Sequence, residues 1–174
     1  TEIYAAVIYA FTGNMETGKG YTVILMYIAF GVLFSYLYKD KKRNLFTSLA
    51  IAILVPFNAI TAVQIFNYYV DGALLITTLL IIYSLIVQST RTNENERENL
   101  LLLSCNIILC INIKFTGLAF AGIFCFVFYV YWLIKAFKQG KKQFFEEFKK
   151  YTIFYIVTVV VAIGIVGFSS YTRN

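Results

Sequence analysis

Six apolar runs separated by short basic patches limit what this chain can become. They cover residues 21–38, 45–63, 73–87, 100–113, 115–134 and 151–168. The hydrocarbon core of a bilayer is about 30 Å thick, and a helix rising about 1.5 Å per residue needs about 20 residues to cross it. Several runs reach that length, and the shorter ones can draw on flanking residues. So much Phe, Leu and Ile has no stable place in water, which makes lipid the expected solvent. The expected fold is all-α: a polytopic transmembrane helical bundle with about six membrane segments, in one domain over 1–174, plus one cytoplasmic interfacial amphipathic helix.

Composition removes several function classes. The chain is 60% hydrophobic and 14% charged, against about 25% charged in a soluble domain. Its net charge of +6 sits in short loops between the runs, where cations anchor a membrane protein to anionic lipid. No aromatic-plus-basic strand surface accompanies them, so no nucleic acid partner is expected. The sequence holds no histidine, which excludes Ser-His and Cys-His nucleophilic machinery and His-ligated metal sites. Cys105, Cys110 and Cys125 all fall inside apolar runs, and an odd number of lipid-embedded cysteines points to small packing residues rather than disulfides. Gly13, Gly18 and Gly20 lack the spacing and the strand-to-helix context of a phosphate loop.

Cation counts orient the chain. Placing 39–44, 89–99 and 135–150 in the cytoplasm puts 12 of the 15 Lys and Arg residues there and leaves Lys19, Lys114 and Arg173 outside. Six crossings then connect an outer start to an outer end. Tyr129, Tyr131 and Trp132, just before Lys135, and Tyr68 with Tyr69 at the other rim, fit the two aromatic belts. Residues 100–137 are expected to form two segments rather than one, because a single 38-residue helix would be about 57 Å long with Lys114 at its centre. In 138–150, Phe144, Phe145, Phe148 and Tyr151 recur at helical spacing among Lys and Glu, the pattern of an amphipathic helix lying in the interface. The polar loop 89–99 balances Glu94, Glu96 and Glu98 against Arg91 and Arg97, and carries no recognisable chemistry.

Candidate functional residues lie on the outer side. Pro56 falls about two-thirds of the way across the second run, where it removes a backbone hydrogen bond and should break or kink the helix. Asn58, Thr61, Gln64, Asn67, Tyr68, Tyr69 and Asp71 follow it, a polar series suited to covering a watery cavity. Asp71 also suits a cap on the third helix. Lys114, in Asn112–Gly117, is a cation on the side that cations avoid, where it can contact a lipid phosphate, pair with Asp71 or extend to headgroups.

Three segments, NAITAVQIFNYYVDG (58–72), NIKFTGLAF (112–120) and GFSSYTRN (167–174), resemble the central part of bacterial polytopic proteins of the GT-C glycosyltransferase superfamily. TEIYAAVIYAFTGNMETGK (1–19) resembles the segment after those proteins' first large outer loop. The resemblance implies many transmembrane helices and an extracytoplasmic active site that moves a sugar from a polyprenyl-phosphate carrier to an acceptor. It implies an acidic base or metal ligand in the outer loop, which is missing here; Glu2 could be the trailing acid of that region, and Asp71 belongs to the matched YYVDG. Asp71 and Glu2 are therefore the catalytic candidates, and Lys114, Arg173, Asn58, Gln64 and Tyr69 the substrate-binding ones. Lys114 or Arg173 would stabilise the charge on the departing lipid phosphate. The cofactor is unknown, a divalent cation on an outer acid being one option.

The expected partners are membrane lipid and a polyprenyl-phosphate-linked sugar, with the bacterial inner (plasma) membrane as location. The chain opens on Thr1 with no leader and stops directly after an apolar run, so it is expected to be a central piece of a larger membrane protein, completed by the remainder of the same polypeptide. Two other readings compete: a transporter or lipid flippase, with broken helices at Pro56 and Lys114 lining a path, and a non-catalytic scaffold subunit. The orientation has a direct test. A Lys41→Cys variant of a Cys-free chain should be labelled by a membrane-impermeant thiol reagent only from the cytoplasmic side, and labelling from outside would reverse the topology.

Overall fold

The computed structural model describes residues 2–14, 20–39, 44–65, 71–90 and 96–166, and every element among them is helical. In chain order these are α1 (Glu2–Thr12), α2 (Gly20–Lys39), α3 (Leu45–Leu54), α4 (Ala59–Ile65), α5 (Asp71–Thr90), α6 (Glu96–Ile113), α7 (Phe115–Gln139) and α8 (Lys141–Val160), which passes directly into a π-helical segment at Val161–Val166. Three stretches, Gly20–Tyr38, Asp71–Ser89 and Phe115–Gln139, are long and apolar enough to cross a membrane. The chain divides into two compact units, 1–77 and 78–174.

In the first unit each helix boundary has a local cause. Gly13 follows α1 with φ of +68°, a left-handed conformation open to glycine, and its N–H donates to the Tyr9 carbonyl at 2.7 Å. The 11-residue α1 lies outside the six expected runs. Asn44 caps α3, its side-chain oxygen accepting from the Thr47 N–H at 2.7 Å. The run 45–63 breaks at Pro56 as expected: α3 ends at Leu54, a turn covers 55–57, and α4 starts at Ala59. Asn58 repairs the break by donating to the Val55 carbonyl at 3.0 Å and accepting from the Thr61 N–H at 3.2 Å. The Thr61 hydroxyl donates to the Pro56 carbonyl at 2.6 Å. The two pieces hold 10 and 7 residues, so neither spans a bilayer alone. Packing of α2 on α3 buries Met26, Ser48 and Ala52 completely, and Tyr27 meets Phe57 edge to face at 5.6 Å.

The second unit runs up and down. The chain reverses at Lys114, whose extended backbone (φ −155°, ψ 146°) is the sole residue between α6 and α7. Residues 100–137 thus form two helices, as the length argument requires. Close approach of the two arms follows from small residues at four-residue intervals, Gly117, Ala121 and Cys125, all buried on one stripe of α7. The Cys110 thiol reaches the Gly117 carbonyl at 3.6 Å. Cys110 and Cys125 are buried packing residues, whereas Cys105 is exposed.

Polar side chains inside this unit meet across helices. Asn106 Nδ2 donates to Ser84 Oγ at 3.4 Å, joining α6 to α5. Ser104 and Thr158 hydroxyls lie 2.7 Å apart between α6 and α8. Asn112 Nδ2 donates to the Ala162 carbonyl at 3.1 Å, within the π-helical segment, where the wider turn redirects carbonyls. Tyr129 and Thr152 hydroxyls pair at 2.7 Å between α7 and α8, beside a Trp132–Tyr151 stack with ring centroids at 4.5 Å. In lipid each such interhelical hydrogen bond contributes about 0.6–2 kcal/mol.

One expectation is corrected. The amphipathic segment 138–150 is not a separate interfacial helix: Lys138 and Gln139 close α7, Gly140 turns the chain with φ of +126°, and 141–150 is the first half of α8, continuous with the sixth apolar run. No proline or glycine interrupts 141–160. Part of its apolar face is also occupied by protein, since Phe144 packs on Phe137, Phe148 on Tyr129 and Tyr151 on Trp132, while Phe145 and Phe148 stay 66% and 43% exposed.

The α6–α7 seam predicts a contrast. Ala121→Phe, at a site 3% exposed, should destabilise the protein by about 1–3 kcal/mol through overpacking, whereas Ile123→Phe, at a site 60% exposed, should change little. Thermal unfolding of both variants in detergent checks it.

Candidate functional site

The residues proposed from sequence are distributed over both units. Asp71 stands exposed in the first turn of α5, where a carboxylate complements the positive end of the helix dipole. Asn58 is half-buried, and both ends of its amide hold the backbone around Pro56, so its observed part is architectural. Lys114 is exposed at the α6–α7 joint, and its side chain makes no capping bond to α7. Glu2 opens α1 and Gln64 lies in α4; their side chains, and Tyr69 and Arg173 entirely, fall outside the described residues. Asp71 belongs to the first unit and Lys114 to the second. Among the described residues no three carboxylates or thiols gather in a way that could hold a metal ion.

The second unit does assemble a polar site, at the end remote from Lys114. The last turns of α5 and α7 meet the first turn of α6 and the first half of α8 around a cavity of about 270 Å³. Lys150 forms an ion pair with Glu96 and stands 3.6 Å from Glu147. Gln88 Nε2 donates to Glu96 Oε1 at 3.2 Å and to the Tyr151 hydroxyl at 3.3 Å. Asn99, Gln139 and Gln143 add carboxamides, Lys135 adds an ammonium, and the Trp132–Tyr151 stack closes the floor.

The electrostatics centre on Lys150. Burial, the largest single influence, pulls its ammonium down, but the hydrogen bond to Glu96 and the charges of Tyr151, Glu147 and Glu96 together outweigh it and hold the group above the ordinary lysine value. A raised value in the folded state means the bond's contribution is complete below the ordinary lysine range and is lost as pH climbs through the raised one. Farther along the same helices, an apolar groove of about 320 Å³ lies between α6, α7 and α8, lined by Ile107, Ala121, Cys125 and Ile156 among others.

Sequence reasoning missed this polar site. Glu96 reads as one of three alternating acids in a solvated loop, and Lys150 as one of six cations between 135 and 150; only the return of α8 beside the start of α6 selects this pair. Gln88 at the end of an apolar run was the single local signal, being polar where the helix should leave lipid.

No protein-family model, no curated protein and no solved structure matches this chain.

Lys150→Met preserves most of the side-chain volume and removes the charge. It should lower the thermal midpoint at pH 7 modestly, as befits a partly exposed pair, and flatten the loss of stability expected of the unaltered protein at strongly alkaline pH. Melting curves across the lysine titration range would decide this; parallel pH profiles would contradict it.

Proposed function

We propose that this chain is the central part of a bacterial integral membrane glycosyltransferase, multi-pass in the inner membrane, which uses a polyprenyl-phosphate-linked sugar at the extracytoplasmic face. The six-segment topology belongs to this proposal, with the lysine-rich α7–α8 turn in the cytoplasm and the α6–α7 joint outside. The observation that carries it is the setting of Lys114: an exposed cation on a tight joint between two apolar helices, at the opposite end of its unit from the other lysines. A cation fixed where headgroups lie suits the departing lipid phosphate, whose charge grows as the sugar leaves. Asp71, with Glu2 as the other candidate, would take the acceptor proton or hold a divalent cation. Arg173, Gln64 and Tyr69 remain substrate-binding candidates, from the GT-C resemblance and the outer polar series.

A transport path through the second unit is less well supported. Such paths need polar groups facing a cavity near the midplane, whereas Ser84, Ser104, Asn106 and Thr158 pair with one another. That pairing favours chemistry at the surface.

In the full-length protein, Lys114→Ala should reduce transfer from the lipid-linked donor by one to three orders of magnitude, on the scale of losing one electrostatic stabiliser, with Lys141→Ala unaffected. Asp71→Asn preserves a helix cap but abolishes a base or metal ligand. Normal transfer in both Asp71→Asn and Lys114→Ala, measured in membranes, would reduce the pair to architecture and leave the scaffold reading.

A further inference from the structure

The polar cavity at the α7–α8 turn carries separated charges of opposite sign. On the α6–α8 wall, Glu96 and Glu147 share the single ammonium of Lys150, leaving one net negative charge. On the α7 wall, Lys135 is exposed and makes no ion pair among the described residues. The lining is therefore neutral in sum but dipolar, and its carboxamides can donate and accept at once. Four further lysines, 138, 141, 142 and 149, lie exposed around it and give the surface a positive field that the cavity does not share.

Depth supplies the second argument. Lys135 is 20 residues, about 30 Å, along α7 from Phe115, so a helix that enters hydrocarbon at Phe115 leaves it near Lys135. The cavity then lies at headgroup level. The apolar groove begins at Tyr129 and Thr152, immediately below the Trp132–Tyr151 floor, and continues along the same three helices toward the opposite end. Tyr155 lines this groove one turn below Tyr151, its hydroxyl buried beside the Cys125 thiol. From the end of α7 inward, the protein thus offers a charge pair, a buried hydroxyl and an apolar channel, in the order of a phospholipid's headgroup, ester carbonyl and acyl chain.

We propose that this end of the second unit is a binding site for a zwitterionic phospholipid of the phosphoethanolamine class. The phosphate lies against Lys135 and the carboxamides, the ammonium against the shared Glu96–Glu147 charge, and one acyl chain in the groove. The site prefers a zwitterion to an anionic lipid even though its surroundings are basic. This rests on the membrane setting of the helices and is independent of the glycosyltransferase reading, since it concerns the other end of the unit and its readout is lipid retention.

Native mass spectrometry of the whole chain in detergent provides the test, with phosphatidylethanolamine, phosphatidylglycerol of matched chains, and free phosphoethanolamine added at equal concentration. Phosphatidylethanolamine should be retained about fivefold better than phosphatidylglycerol, the scale of one partly exposed ion pair, and free phosphoethanolamine should leave no adduct. Lys135→Met and Glu147→Gln should each erase the preference, while Lys138→Met keeps it. Equal or better retention of phosphatidylglycerol by the unaltered protein overturns the proposal, as does an undiminished preference in both cavity variants. An adduct with free phosphoethanolamine as persistent as the lipid's would overturn the role of the groove and the lipid source.

Discussion

Hydrocarbon offers no hydrogen bonds, so a polar group inside a membrane helix must find its partner in another helix or in its own backbone. In the second unit that requirement governs which faces meet. Helix α6 supplies most of the partners: Glu96 holds α8 at one end, Ser104 holds it in the middle, and Asn112 reaches the π-helical segment at the other, while Asn106 turns to Ser84 on α5. Apolar contact alone cannot fix such a register, because lipid tails pack against Leu and Ile as readily as a neighbouring helix does. A few directional bonds and the small-residue seam at Gly117, Ala121 and Cys125 provide the missing specificity.

The same economy explains why polar chemistry is confined to the ends. At one end the carboxylates, Lys150 and the carboxamides build a cavity around the Trp132–Tyr151 stack. At the other, a single exposed lysine occupies the joint. Between them Ser84, Ser104, Asn106 and Thr158 pair with one another, which leaves the charged groups of this unit at its two ends.

Apolar runs, the break at Pro56 and the split of 100–137 were all legible in the sequence, because each depends on a local property: hydropathy over a window, a missing N–H, or a helix too long for any bilayer. The fate of 138–150 was not. Phe144, Phe148 and Tyr151 have the periodicity of a lipid-facing helix, and only the return of α8 along α7 shows that each meets an aromatic ring of α7. The Glu96–Lys150 pair was hidden for the same reason, since 54 positions separate the partners and neither stands out among its charged neighbours. Of the outer candidates, Asn58 was expected to bind substrate, and only the structure shows its amide holding the backbone around Pro56; any partnership of Asp71 with Lys114 depends on long-range geometry that no spacing encodes.

The one-residue joint at Lys114 also bears on how the protein is made. In the proposed six-segment topology, two helices tied that closely enter the bilayer together, because either arm inserted alone would leave its partner's apolar face in water, and the pair partitions as a hairpin with Lys114 at its leading tip. In the proposed orientation that tip traverses the whole hydrocarbon layer, against a penalty of about 2.5–3.5 kcal/mol for a lysine at its centre. Residues 100–134 hold twenty Leu, Ile, Phe and Val, worth together roughly 6–12 kcal/mol of insertion free energy at membrane-centre values. The greasiness of α6 and α7 thus exceeds what their packing alone demands, and in that topology it is the driving force that carries the Lys114 charge to the far side.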